Sequence, residues 1–163
     1  MASAVKRTIS LRSYEFGSAN IRLLESYGED LPSVVVNPEE IQQVILNLIL
    51  NAEQAMRASN RGGTLTVTTK CVDAMVTIEI QDDGPGVPPA LAGRVFEPFF
   101  STKEVGEGTG LGLSIAMGIA EAHGGTMTLV PTDKGACFRL ALPAVDVNDG
   151  LPVATLVGAE HRK

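Results

Sequence analysis

Ten of the chain's 17 glycines fall between Gly84 and Gly125, set among Leu, Ile and Val rather than among the Ser and Pro of a flexible linker. Glycine loses more backbone freedom on folding than any other residue. A concentration of it inside apolar sequence therefore marks places where the chain turns tightly or lets something approach its backbone. The density peaks from Gly106 to Gly112, four glycines in seven residues, directly before an apolar helical pattern. Free N–H groups and the positive end of a helix converge there, an arrangement suited to phosphate. Two glycine-rich phosphate sites are excluded. A dinucleotide fingerprint counted from Gly108 requires glycine at position 113, which is Leu113, and no Gly-Lys-Ser/Thr follows a glycine run.

The rest of the chain frames this segment as α+β. A short helix is expected from Val5 to about Gly17, a strand over Asn20–Tyr27, a turn at Gly28–Asp30 and a very short strand at Ser33–Val36. Asn37 followed by Pro38, Glu39 and Glu40 is a helix start. The helix runs over 38–58 with Ile41, Val44, Ile45, Leu48, Ala52, Ala55 and Met56 on its apolar face. Thr64–Val72 and Met75–Asp82 alternate with period two around Asp73-Ala74, a hairpin. One helical turn is expected within Pro88–Val95 and a long loop over Phe96–Gly108. A helix over Thr109–His123 is ended by Gly124-Gly125, and strands follow at Thr126–Val130 and Ala136–Leu142. Residues 1–143 form one domain, and 144–163 read as a tail or linker. The sum is a mixed sheet with helices gathered on one face.

Composition narrows the function. With a formal charge of −6 and a pI near 4.9, a basic nucleic-acid surface is not expected. No apolar run approaches the ~18 residues of a membrane span, and Lys6-Arg7 has no apolar stretch behind it, so no signal peptide is read. Cys71 and Cys137 suit buried thiols in a reducing, cytoplasmic compartment. Metal binding through them is discounted for want of paired spacing.

Four constellations carry chemistry. In Val44–Leu50 the run VILNLIL is apolar except for Asn47, and Asn51 follows one turn later on the same face. Two amides in an apolar stripe need partners. Either they satisfy each other or nearby backbone, or they form a polar slot, in which an Asn oxygen is a neutral, hard ligand suited to Mg²⁺ beside phosphates. Val76, Ile78, Ile80 and Asp82 share a strand face, so an apolar face ends in a carboxylate, followed by DDGPGVP. A tight turn explains that run cheaply. The sharper reading is a carboxylate accepting from an exocyclic amine such as adenine's. RVFEPFFSTKEVGEG places Phe96, Phe99 and Phe100 in a loop with Lys103, a cation beside glycine-rich backbone. GEGTGLGLSI then opens the helix over Thr109–His123.

In this order the residues resemble the catalytic, ATP-binding domain of bacterial sensor histidine kinases, within the superfamily shared with gyrase B, Hsp90 and MutL. QVILNLILNAEQAM resembles the N box, DDGPGVP the G1 box, FEPFFSTK the F box and GEGTGLGLSI the G2 box. The resemblance implies the Bergerat (GHKL) fold, a two-layer α/β sandwich with a mixed, mostly antiparallel sheet. It implies ATP and Mg²⁺ as ligands, with Asn47, Asn51 and Lys103 catalytic and Asn51 holding the metal. It places Asp82, Gly84, Gly86, Gly108, Thr109, Gly110, Leu111 and Gly112 around the nucleotide, and a movable lid over 96–110 coupled by the phenylalanines to a neighbouring domain. The implied activity is donation of the γ-phosphoryl group to a histidine on a dimerisation domain of the parent protein, with a response-regulator receiver domain downstream. A monomer is expected, with neither nucleic acid nor direct membrane contact.

Two departures stand out. Gln54 occupies the place where many members carry a phosphate-contacting Lys, and Arg57 lies one turn on. No phosphoacceptor histidine is evident: His123 ends a helix, and His161 lies near the C-terminus. Self-phosphorylation of this chain alone is therefore not expected. The rival readings are a stand-alone serine kinase of the anti-sigma type, a non-catalytic nucleotide-binding module, and a DNA topology or repair ATPase. The last is disfavoured because ATPase branches carry a water-activating Glu at the place of Asn47, and an amide cannot act as that base.

Overall fold

The computed structural model of the chain describes residues 2–58, 62–101, 109–145 and 156–157. In chain order the elements are α1 (Ala2–Ser10), α2 (Ser13–Ser18), β1 (Ile21–Tyr27), β2 (Val34–Val35), α3 (Pro38–Ala58), β3 (Gly63–Val72) and β4 (Met75–Asp82). A 3₁₀ turn at Pro89–Leu91, α4 (Gly112–Ala122), β5 (Thr126–Val130), β6 (Cys137–Pro143) and β7 (Leu156–Val157) complete them. The main sheet has five strands in the order β1-β3-β4-β6-β5. Its β1–β3 pair is parallel and the others are antiparallel. The helices cover one face.

Helix α3 forms where its signals place it. Asn37 Oδ1 accepts the Glu39 N–H at 3.0 Å, and Glu39 and Glu40 lie in the first turn. Its buried stripe is Ile41, Val44, Ile45, Leu48, Ile49, Ala52 and Met56. Each large aliphatic side chain fully buried there contributes roughly 1.5–3 kcal/mol. Ala55 is only half-buried, and Ile49 takes its place in the core.

The hairpin turns on Asp73 and Ala74, both at positive φ (50° and 59°), the twist a two-residue loop needs. Val76, Ile78, Ile80 and Asp82 all face inward and are buried. On the outer face Glu79 accepts from Lys70 (2.9 Å) and from Arg139 (2.7 Å). Burial alone raises the Glu79 carboxyl, but these two cations outweigh it and hold it below the ordinary value.

Three expectations are corrected. The N-terminal segment is two helices rather than one, because Arg12 leaves helical geometry (φ −108°, ψ 5°) at the break. There its guanidinium forks onto Glu53 of α3, Nε to Oε1 at 3.1 Å and Nη2 to Oε2 at 2.7 Å, and donates to Glu15 at 3.1 Å. Glu53, in the middle of α3, is only 3% exposed. The helix expected over Thr109–His123 begins at Gly112, because Gly110 sits at φ +67° and cannot belong to a right-handed helix. Cys71 is exposed rather than buried, since it lies at the hairpin tip beyond the buried stretch of β3. Cys137 is buried, and that burial pushes its thiol up to about 11. Both cysteines are free.

Beyond β6 the chain stays tied to the domain. Val145 N–H donates to Ser33 O at 2.8 Å, and β7 pairs antiparallel with β2. Among the described residues no helix is long and apolar enough to cross a membrane.

Candidate functional site

Helices α3 and α4, the segment after β4 and the phenylalanine loop enclose a cavity of about 260 Å³. From α3 come Asn47, Leu50, Asn51 and Gln54; from the segment after β4, Gly86, Val87 and Pro88. Phe100, Ser101, Thr109 and Gly110 approach from the loop, and Gly112 and Leu113 from the start of α4. Phe138 of β6 lines it too, with its ring edge-on to Phe96 at 6.0 Å. Six of the residues assigned to the site from sequence thus line one cavity: Asn47, Asn51, Gly86, Thr109, Gly110 and Gly112. Asp82, Gly84 and Leu111 lie outside that lining. Lys103 and Gly108 fall outside the described residues. Gln54 lines the cavity, whereas Arg57, one turn on, does not.

The two amides differ. Asn47 Nδ2 donates to the Gly112 carbonyl at 3.1 Å, which ties α3 to the start of α4. The side chain of Asn51 makes no hydrogen bond among the described residues, and it faces the cavity. Asn47 is therefore tied to the α4 backbone, whereas Asn51 lines the cavity with an amide that no described residue engages.

Asp82 is the buried charge of the region, at 2% exposure. Its Oδ1 accepts the N–H groups of Gly84 (2.9 Å) and Ala136 (3.4 Å). Burial raises its pKa above the ordinary aspartate value. The Gly84 and Ala136 N–H groups oppose that shift, and the adjacent Asp83 charge adds to it. Asp83 is shifted the other way, chiefly by the Thr64 N–H and, against its partial burial, by Lys134. A carboxyl ¹³C NMR titration should therefore give Asp82 a midpoint above 3.8 and Asp83 one below it. The reverse order would contradict this description. The sign for stability follows. A folded-state pKa raised above the unfolded value means that ionising Asp82 opposes folding at neutral pH, and that opposition is relieved as pH falls through its folded pKa. A buried carboxylate that opposes folding, set beside a cavity, is a candidate for a role besides stabilising the fold.

The loop edge is pinned by backbone. Phe99 N–H donates to Gly110 O at 2.9 Å, and a Cβ on Gly110 would lie 2.6 Å from the Phe99 carbonyl carbon, so no other residue fits. Phe99 itself sits at φ +64°, a strained position for a bulky residue, with its ring 77% exposed. Arg94 covers the Phe100 ring at 4.6 Å and pairs with Glu97 at 3.0 Å.

His123 is structural. Its Nε2 accepts the Asn37 N–H at 3.0 Å, its Nδ1 donates to Ile119 O at 2.8 Å, and the side chain is 11% exposed. Nε2 joins the end of α4 to the start of α3 and Nδ1 bonds back within α4, so both ring nitrogens are engaged in the fold.

Sequence reasoning missed Phe138 and the β5–β6 turn as parts of this region. The Gly135-Ala136 pair before an alternating strand was a usable signal, since glycine at that point implies close backbone packing.

The comparisons agree with this geometry. The family described as histidine kinase-, DNA gyrase B- and HSP90-like ATPase matches residues 36–146. The sensor histidine kinase ZraS of Escherichia coli (strain K12) is 36% identical over 140 residues, covering 85% of this chain and 29% of ZraS. The chain thus spans under a third of that relative's length. Among solved structures, the nucleotide-free catalytic domain of histidine kinase ThkA superposes with a TM-score of 0.79 at 28% identity, over 88% of this chain and 92% of that one. Full-length ShkA in complex with AMPPNP gives 0.75 at 25% identity, over 87% of this chain and 29% of that one. The chain belongs to the histidine kinase-, DNA gyrase B- and HSP90-like ATPase family, as a catalytic ATP-binding domain of the sensor histidine kinase type.

Proposed function

We propose that the chain binds Mg·ATP in the α3–α4 cavity and presents the γ-phosphoryl group to a histidine on a separate helical domain. That histidine would then supply a response-regulator receiver domain in two-component signalling. The observation that carries this reading is the convergence of Asn47, Asn51, Gly86, Phe100 and the Gly110–Gly112 backbone on one cavity, with the buried Asp82 carboxylate held just behind Gly84. Asp82 reads the adenine amine, and Gly84 and Gly86 shape the purine end. Thr109, Gly110, Leu111 and Gly112 bring the helix start toward the phosphates, with Gly108 and Lys103 assigned to the same phosphates by the family pattern.

The residues fit a magnesium ion shared with the nucleotide. Among the described residues no group of three or more His, Cys, Asp or Glu side chains could hold an ion unaided. Mg²⁺ ordinarily keeps its waters and takes few protein ligands beside phosphate oxygens, and the Asn51 oxygen is such a ligand. When bound, the ion supplies charge neutralisation at the β- and γ-phosphates. The protein's own part is positioning. An amide at position 47 cannot activate water, which favours transfer over hydrolysis. The exposed Phe99 ring suits contact with the neighbouring domain. We place the chain in the cytoplasm of a bacterium, as a monomer without nucleic-acid or direct membrane contact.

Calorimetric titration with a non-hydrolysable ATP analogue, with and without Mg²⁺, tests this. Wild type should bind about tenfold more tightly with the ion, and Asn51→Ala should lose most of that gain while keeping its metal-free affinity. Absence of binding, or an unchanged magnesium response in Asn51→Ala, would contradict the proposal.

A further inference from the structure

Asp83 has no part in the site just described, yet its carboxylate joins three elements beside Asp82. Oδ1 accepts the Thr64 N–H at 2.7 Å. The β3–β4 ladder ends at the pair Leu65–Asp82, so this side chain carries the pairing one step past the end of β4. Oδ2 lies 3.3 Å from Lys134 Nζ in the β5–β6 turn. The same turn grips Asp82 through both main chain and side chain: Asp82 N–H donates to Ala136 O at 2.9 Å, and Ala136 N–H returns to Asp82 Oδ1 at 3.4 Å. Gln81 adds a bond from Nε2 to Thr132 Oγ1 at 2.9 Å.

Gly135 completes the contact. At φ +71° it packs so closely that a Cβ would lie 1.8 Å from the Asp82 carbonyl oxygen and 2.9 Å from Asp83 Cα. On its other side, the Gly135 carbonyl oxygen lies 2.7 Å from where a Cβ on Gly86 would sit. Asp82, Asp83, Gly135 and Gly86 are therefore packed in series, from the buried carboxylate to a wall of the cavity.

We propose that Asp83 is a positioning residue for the base end of the nucleotide site, holding Asp82 and Gly86 at the angle that reads a purine's exocyclic amine. The proposal rests on the ATP reading above. The Thr64 bond carries most of the effect. The Lys134 side chain is 70% exposed, and an ion pair to so exposed a partner is worth little.

The test compares ATP with inosine triphosphate, which carries a carbonyl where adenine has its amine, on the 163-residue chain. Asp83→Ala should lose about tenfold in ATP affinity and bring the ATP-to-inosine-triphosphate ratio close to one. Asp83→Asn, which keeps an oxygen for the Thr64 N–H, should hold that ratio within about threefold of wild type. A purely structural loss would lower the unfolding temperature and leave the ratio of the folded protein untouched, so a wild-type ratio in Asp83→Ala overturns the proposal. If Asp83→Ala does not fold, Asp83→Glu takes its place with the same expectation, because it keeps the charge and displaces the oxygens by one methylene. Asp82→Asn is measured in parallel. If it binds ATP as wild type does, the site reading itself is wrong. If it loses ATP while Asp83→Ala keeps the wild-type ratio, only the role of Asp83 is wrong.

Discussion

Replacing Arg12 by Ala should destabilise the domain by about 3 kcal/mol or more, the largest stability effect expected of any surface-proximal side chain here. The reason is the partner left behind. Glu53 has a side chain only 4% exposed, in the middle of α3, and both of its oxygens are taken by the Arg12 fork. Removing the guanidinium strands a buried carboxylate between α1–α2 and α3. The favourable energy of the intact pair is a separate matter, because desolvation offsets much of it. An Arg12→Met/Glu53→Leu double variant should therefore regain most of what the single variant loses. Urea unfolding of the three variants checks both statements. A single variant within about 1 kcal/mol of wild type would mean that Glu53 finds water or another partner. The effect has a functional side, since Glu53 lies between Asn51 and Gln54, both of which line the cavity.

That ion pair also shows where sequence legibility stops. Helix α3 can be read because each of its signals is local: an N-cap, a proline in the first turn, acidic residues beside it and an apolar period. The β3–β4 hairpin can be read for the same reason, and with it the inward direction of Asp82, since alternation alone places it on the face of Ile78 and Ile80. Arg12 and Glu53 are 41 residues apart, and nothing in either neighbourhood names the other. Reading residues 5–17 as one helix follows from apolar spacing that is real but blind to the turn at Arg12. The start of α4 is misplaced by three residues because glycine permits both a helix and the left-handed bend at Gly110, and the choice is made by Phe99 packing against it. The pairing of β7 with β2 involves two residues, too few to carry a period.

The site divides along the same line. The amides of α3 and the glycines before α4 announce themselves by being out of place in apolar sequence. The groups that fix Asp82, namely Asp83, Gly135 and Ala136, are ordinary turn residues until the sheet brings β4 and β6 side by side.

Asp82 separates stability from function, and its replacement is the second large effect. An Asn at this position keeps an oxygen for the Gly84 and Ala136 N–H groups and removes a charge whose ionisation opposes folding. In the proposed ATP complex it would also turn an N–H toward the adenine amine, donor against donor. The most direct measurement is therefore ATP-analogue affinity and unfolding free energy on the same preparation of Asp82→Asn. Affinity should fall on the order of 100-fold, the scale expected when a buried group loses a charged hydrogen-bond partner, while stability stays within about 1 kcal/mol of wild type or rises. Wild-type affinity in a folded Asp82→Asn protein would contradict the account, because the buried carboxylate would then serve the fold and not the nucleotide.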